Sequence, residues 1–277
     1  MKEEIIRSIQ TFVATSPQNR LAIAEIPFFG EPLVRVASAE DKLFYEYKDI
    51  IGPEHLTPRE VFEREFGKDT FNGGSVLSVV LPISEPIRKS NRPQRDFASK
   101  EWALLRAFGD EVFMHSLGVF IASVFEQKGY RAFSPSHSVH FSISRAANGP
   151  ASNWSERHIA YVAGHGAFSL NDGFITERGT AIRLVSVVTN AVLAPDIRSV
   201  QHHNEYCLFC SKGKCGACIK RCPVGAITKD GHDKIKCYQF VYGEESRQRA
   251  VAFGGNYKTG SGCGLCQTKV PCEYAIP

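Results

Sequence analysis

The chain predicts an α+β protein in two parts, a larger domain over residues 1–199 and a small cysteine-rich domain over residues 200–277. Three observations carry this. Apolar residues recur at helical spacing in some segments and in strand-length runs in others. All nine cysteines fall in the last 71 of the 277 residues. Ala194-Pro195-Asp196 opens a polar linker between the two compositions.

Each element follows in order. Ile5, Ile6, Ile9, Phe12 and Val13 share one face of a helix over Lys2 to Ala14. Thr57-Pro58-Arg59-Glu60 has a cap, a proline at the first helical position and a capping-box glutamate, and opens a helix to Phe66. Gly73-Gly74 ends a loop, and Ser75 to Leu81 is a buried strand. Ser84 to Asp96, rich in proline and arginine, is a loop. Ser99 to Lys128 carries apolar residues from Leu104 to Phe125 at helical spacing, with an interruption expected near Gly109. Tyr130 to Phe133 is a short strand, and Ser138 to Ile143 is strand-like. Asn153 to Ala163 is a helix with Asn153 or Ser155 as its cap. Ile182 to Leu193 is β-rich. The apolar runs are strand-length, so no membrane span is expected. The first residues lack the basic-then-apolar pattern of a signal peptide, so a cytoplasmic location is expected.

The cysteines follow a specific pattern. Cys207-x2-Cys210-x4-Cys215-x2-Cys218-x3-Cys222-Pro223 is followed by a lone Cys237, the pair Cys263-Gly-Leu-Cys266, and Cys272. C-x2-C-x3-C-P closes the bacterial ferredoxin motif, in which the cysteine before proline reaches across to a second [4Fe–4S] cluster. The spacing gives one cluster Cys207 or Cys210, then Cys215, Cys218 and Cys272. The other cluster takes Cys222, Cys237, Cys263 and Cys266. Spacing alone favours Cys210 over Cys207. Such a module moves single electrons. A disulfide framework suits a small secreted chain and an even cysteine count. Structural zinc suits the C-x2-C pairs but does not explain the x3 spacing, Pro223 or eight usable thiolates.

Charge says little about partners. From Gln201 onward there are 11 Lys and Arg against 6 Asp and Glu. Two clusters, each carrying roughly −2 with its thiolates, would offset most of that excess. Nucleic acid is therefore not the expected partner.

The larger domain has no G-x-G-x-x-G, Walker A or G-x-S-x-G motif. Its informative block runs from Trp154 to Asn171. His158 and Tyr161 share a helical face that could line a cavity. Gly164-His165-Gly166 then makes a turn, followed by Phe168. The plainer alternative is a helix with one solvated side and a glycine cap. His202-His203 is taken as solvated, and His137 and His140 are assigned nothing.

With these residues in view, the chain resembles the epoxyqueuosine reductase and reductive dehalogenase group. The likeness rests on Glu156-Arg157 to Gly166, the strand Arg183 to Thr189, Cys215 to Ile227, and Gly262 to Cys266. It covers roughly Ser75 onward. The resemblance implies a nitroreductase-like α/β sandwich followed by a bacterial-ferredoxin-like domain with two [4Fe–4S] clusters, and a corrinoid such as cobalamin in the larger domain. It implies Cys207 rather than Cys210 as the first ligand. It makes Gly164, Gly166 and Phe168 candidate cofactor contacts and His158, Tyr161 and His165 candidate proton donors. The expected partners are an electron donor such as a ferredoxin or flavodoxin, and, if the chain is a relay or activator, a corrinoid protein. Two features depart from the group's pattern. The last ligand follows a longer loop, Cys266 to Cys272. Epoxyqueuosine reductases also resemble one another in an aspartate a few residues before the Glu-Arg pair, where this chain has Asn148, Gly149 and Pro150. With no carboxylate between Arg145 and Trp154, tRNA-epoxide reduction would need another acid.

Overall fold

The computed structural model describes residues 1–146 and 149–277. Asn148, noted above at the position of the absent aspartate, lies outside the described residues.

The central sheet comprises β1 (Leu33–Ser38), β2 (Ser75–Pro82), β3 (Ala132–Phe133) and β8 (Ile182–Thr189). Its order is β1-β2-β8-β3, with every neighbouring pair antiparallel. Val79 is the partner of Val34 on one side and Val185 on the other. β2 is buried along nearly its whole length. Its alternate residues feed two cores, as side chains alternate across a strand. Leu77, Val79 and Leu81 pack with Ile5, Ile9, Phe113, Leu117 and Ile121. Val76 joins Phe62, Trp154 and Ile159, and Val80 joins Ala160 and Phe174. The sheet is therefore covered by helices on both faces.

Several expectations hold. α1 is Lys2–Thr15, and its buried stripe is Ile5, Ile9 and Val13. α2 (Leu43–Ile50) precedes α3 (Pro58–Phe66), whose capping box forms: the Glu60 backbone N–H donates to Thr57 Oγ1 at 3.3 Å, and the Thr57 N–H donates to Glu60 at 2.8 Å. Others need correction. The expected loop after Ser84 contains a helix, α4 (Glu85–Asn91), with Pro86 in its first turn. The long helix α5 (Lys100–Glu126) is not interrupted at Gly109; it widens to π-winding over Leu105–Phe113 and continues. Its length and composition would suffice to cross a bilayer, which the sequence reading overlooked, but 44% of its most apolar window is buried inside the fold. The strand after Ser138 starts only at Ile143: β4 (Ile143–Ala146) pairs with β5 (Gly149–Ser152) as a hairpin. The helix α6 starts at Glu156 and ends at Val162. Asn153 instead ties the hairpin, accepting from Ser142 N at 2.9 Å and donating to His140 O at 2.8 Å.

The cysteine-rich segment carries α7 (Leu208–Lys212), α8 (Ala217–Arg221), α9 (Lys234–Val241) and α10 (Glu244–Ala252). It does not stand apart from the sheet. β6 (Gly166–Phe168) and β7 (Phe174–Thr176) carry the packing across: Leu170 and Ile175 share a core with Cys207 and Ile227. Thr180 N and Ala181 N donate to Cys272 O and Glu273 O at 2.8 and 3.0 Å. Arg88 of α4 and Arg92 at its C-cap both bond the buried Glu273 carboxylate, at 2.8 and 2.9 Å. Burial raises the Glu273 pKa, but the Arg92, Lys269 N–H and Arg88 hydrogen bonds outweigh it and leave the carboxyl below its usual range.

Candidate active site and cysteine centres

A cavity of about 980 Å³ opens between α2, α6, the β4–β5 hairpin and the cysteine-rich segment. Such a volume is at the upper end of ordinary ligand sites, about 300–1,000 Å³. Leu43, Ile50, Phe141, Ile143, Phe168 and Leu170 supply apolar wall, and His158, Tyr161, Asp172 and Lys234 supply polar tips.

α6 positions the predicted pair. His158 and Tyr161 face the cavity together, as their spacing of three requires. His158 is clamped. Its Nδ1 meets Ser155 Oγ at 2.8 Å, and its ring lies 4.8 Å from that of Tyr47 and 4.7 Å from that of Phe168. Tyr47 Oη donates to the His158 carbonyl at 3.0 Å. Burial, helped by the Arg157 charge, lowers the His158 pKa to about 3, so its imidazole is neutral near pH 7. It is not a store of protons there. Tyr161 has the Arg198 guanidinium over its ring at 5.5 Å.

Three candidates lie elsewhere. His165 is buried, with Nε2 against Ser78 O at 2.9 Å, and does not line the cavity. Burial lowers its pKa to about 4. Gly164 ends α6 in a Schellman arrangement: Gly164 N donates to Tyr161 O and His165 N to Ala160 O, both at 3.0 Å. Its φ of +81° needs glycine, and a Cβ there would meet Ile197 O at 2.9 Å. At Gly166 a Cβ would lie 1.9 Å from Ile175 O, so the glycine lets β6 approach β7. Both glycines have a backbone reason for being glycine, and neither lines the cavity. The plainer alternative, a glycine cap, describes Gly164.

Sequence reasoning missed Asp172. It enters the cavity from the turn between β6 and β7, with φ +55°. Arg157 donates to its carbonyl; His232 Nδ1 lies 3.2 Å from its carboxylate, and Lys234 Nζ 3.9 Å. Burial raises the Asp172 pKa, but His232 and Lys234 outweigh it and hold the carboxyl below its usual range. Asp172 is 15 residues from Arg157 in sequence, so no local pattern could reveal it. His203, taken as solvated, also borders the cavity.

The nine cysteines are all free thiols, and eight of them fall into two groups. Cys207, Cys215, Cys218 and Cys272 line one small cavity. Burial pushes Cys218 up to about 11 and Cys272 up to about 12, and in both cases Cys207 and Cys215 reinforce the shift. In the second group burial pushes Cys263 up to about 12, with Cys237 and Cys222 adding to it. Cys266 is pushed higher still by burial, Cys263 and Cys237. Cys210 lies beside Cys207 but lines the large cavity. Backbone N–H groups point at sulfur: Ala226 N to Cys222 Sγ at 3.1 Å, and Ala217 N to Cys215 Sγ at 3.5 Å. Among the described residues, no three His, Cys, Asp or Glu side chains converge on a point that would hold a single ion.

No protein-family model matches the chain, and no curated protein does. Solved structures do. An epoxyqueuosine reductase from Bacillus subtilis, with a catalytic loop swung out of its active site, superposes at a TM-score of 0.56 and 16% identity, over 98% of this chain and 65% of that one. The fold is that of the epoxyqueuosine reductases. The enzyme from Streptococcus thermophilus matches at 0.52 and 17% identity, over 99% of this chain and 66% of that one. A catabolic reductive dehalogenase in complex with 3-bromo-4-hydroxybenzoic acid matches at 0.51 and 14%, over 99% of this chain and 36% of that one. The chain thus spans about two thirds of the length of the epoxyqueuosine reductases it matches. In this fold the large cavity is bordered by Cys210, which sits beside Cys207 of the first cysteine group.

Proposed function

We propose that the protein is an iron–sulfur reductase that passes single electrons through two [4Fe–4S] clusters to a corrinoid held in the large cavity. The observation that carries this reading is the sorting of eight cysteines into two adjoining groups beside a large, mainly apolar cavity. Cys207, Cys215, Cys218 and Cys272 would hold one cluster, and Cys222, Cys237, Cys263 and Cys266 the other. The donor set fits. Each group offers four thiols, the ligand number of a [4Fe–4S] cluster, and the C-x3-C-P spacing of Cys218 to Pro223 is not explained by structural zinc. Buried thiols that raise one another's pKa are stabilised by a multivalent cationic core, which takes them as thiolates. The clusters would supply one-electron transfer, with potentials tuned by burial and N–H donors such as Ala226.

The cavity fits a large, mainly apolar group. Phe168, Leu43 and Ile50 would pack against its flat faces. A bound corrinoid would supply a strongly reducing metal centre. The chain's own part is to exclude water, to orient substrate and to handle protons. Neutral His158, fixed by Ser155, can accept or share a hydrogen bond at its remaining nitrogen. Tyr161 can give a proton to a basic intermediate. Anionic Asp172 can orient a hydroxyl or a cationic group of a substrate.

Titration with cob(II)alamin tests the corrinoid, read by electron paramagnetic resonance. A changed cobalt signal on mixing is the expected result; an unchanged one at millimolar cobalamin leaves an iron–sulfur relay. A second reading, reduction of an epoxide in tRNA, is favoured by the fold and by Asp172, a carboxylate brought into the cavity from outside the expected loop. Conversion of epoxyqueuosine-containing tRNA by the purified protein would establish it.

A further inference from the structure

The two cysteine groups differ in their access to solvent. In the second group every cysteine is at least partly covered. In the first, Cys215 is exposed. The segment that carries it has one sign of charge. From Tyr206 to Lys229 the chain carries Lys212, Lys214, Lys220, Arg221 and Lys229 and no Asp or Glu. The four lysines are exposed. Arg221 is committed inward, donating to Gln94 O at 2.7 Å and to Leu265 O and Thr268 O at 3.2 Å. The nearest acids flanking the segment are Glu205 and Asp230. Glu205 is occupied locally, accepting from Gln201 N at 2.7 Å. The cavity edge beside Cys215 is apolar, with Leu208, Phe209 and Pro271. Apolar residues beside an exposed sulfur, in a segment whose exposed charges are all positive, suit an electrostatically steered, transient interface.

We infer that this face around Cys215 is the docking surface for an acidic one-electron donor protein. The inference rests on the iron–sulfur reading above. It names the cluster at which electrons enter: the one ligated through Cys215, with the group around Cys263 and Cys266 inside. One electron leaves the donor and reduces one cluster, with no bond made or broken. A nucleic acid is the other anionic partner that lysines could meet. The exposed Cys215 sulfur within this lysine-bearing segment, and the absence of a free arginine between Tyr206 and Lys229, favour the donor protein.

The test uses the full chain with its clusters, photoreduced flavodoxin as the acidic probe and dithionite as a small reductant. Stopped-flow bleaching of the cluster absorption gives both rates. Lys212→Gln/Lys214→Gln/Lys220→Gln should lower the second-order rate with flavodoxin about tenfold, and salt should lower the wild-type rate toward the variant's. Dithionite should bleach both proteins alike, which shows that the variant keeps its clusters. Equal flavodoxin rates for wild type and variant, or a wild-type rate insensitive to salt, would overturn the inference. So would a variant that loses tRNA binding while keeping its flavodoxin rate. A wild-type protein with no dithionite-bleachable absorption would instead remove the iron–sulfur reading, and this inference with it.

Discussion

Cys207 and Cys210 are separated by less than one helical turn, yet they border different cavities. Cys207 is buried and lines the small cavity with Cys215, Cys218 and Cys272; Cys210 is exposed and lines the large one. Cys207 caps α7 and Cys210 lies within its first turn; the two thiols stay in contact, but only Cys207 also lines the small cavity.

The first prediction follows directly. Cys210→Ser should keep about eight irons per chain, and Cys207→Ser should retain only about four. Iron and acid-labile sulfide after anaerobic purification decide it. The reverse outcome would make Cys210 the ligand.

Glu273 links the last cysteine to the sheet domain. It is 2% exposed and is bonded by Arg88 and Arg92. Glu273→Ala should destabilise the protein by about 3–5 kcal/mol, because a partly buried arginine pair loses its counter-charge. It should also loosen Cys272, which precedes it. The carboxyl is held below its usual range, so its contribution is present above the unfolded pKa and is lost as pH falls through the folded one. Thermal unfolding of wild type and variant at pH 7 measures the difference.

Glu156 gives a pH prediction of the opposite sign. Burial raises its pKa to about 7, and hydrogen bonding from Ser136 and Ser186 offsets only part of that rise. A raised acid favours the folded state below its unfolded pKa, and that contribution is lost as pH rises through 7. Glu156→Gln should match wild type below about pH 4.5 and exceed it at pH 8, by an amount on the order of 3 kcal/mol. The difference between the two proteins isolates this group from the buried histidines His55, His137, His158 and His165. Burial depresses the pKa of all four, so they lower stability as pH falls. Unfolding midpoints across pH 4 to 8 supply the comparison; parallel curves would contradict it.

Tyr161 and His165 separate the cavity from the scaffold. Tyr161→Phe should leave cobalamin affinity within about threefold and lower turnover about 10²–10⁴-fold, the usual reach of a general acid. His165→Gln should change unfolding temperature but not cobalamin affinity, because its ring bonds Ser78 inside the fold. A large loss of affinity in His165→Gln would put that residue back at the site.

Much of the fold was legible because local physics decides it. The α1 stripe, the Thr57 capping box and the doubly buried β2 need only spacing and composition. The helix after Ser84 was hidden by prolines that begin a helix as readily as they end one. The π-winding around Gly109 lies where Phe28 and Phe29 pack closely against the helix, a contact no local pattern records. At the site, His158 and Tyr161 could be paired because a helix fixes which residues share a face. Asp172 could not, because its place in the cavity is set by contacts with Arg157 and His232 from distant segments. The packing reasons at Gly164 and Gly166 could not be read either, because a glycine needed for chain packing looks the same in sequence as one needed for a ligand.

The central claim, that the two cysteine groups each hold a cubane cluster, is tested most directly by quantifying iron, zinc and acid-labile sulfide in anaerobically prepared protein, with electron paramagnetic resonance of the dithionite-reduced sample. The account predicts about eight irons and eight sulfides per chain and the signals of two interacting reduced [4Fe–4S] clusters. Zinc in place of iron, or no more than about four irons per chain, would contradict it.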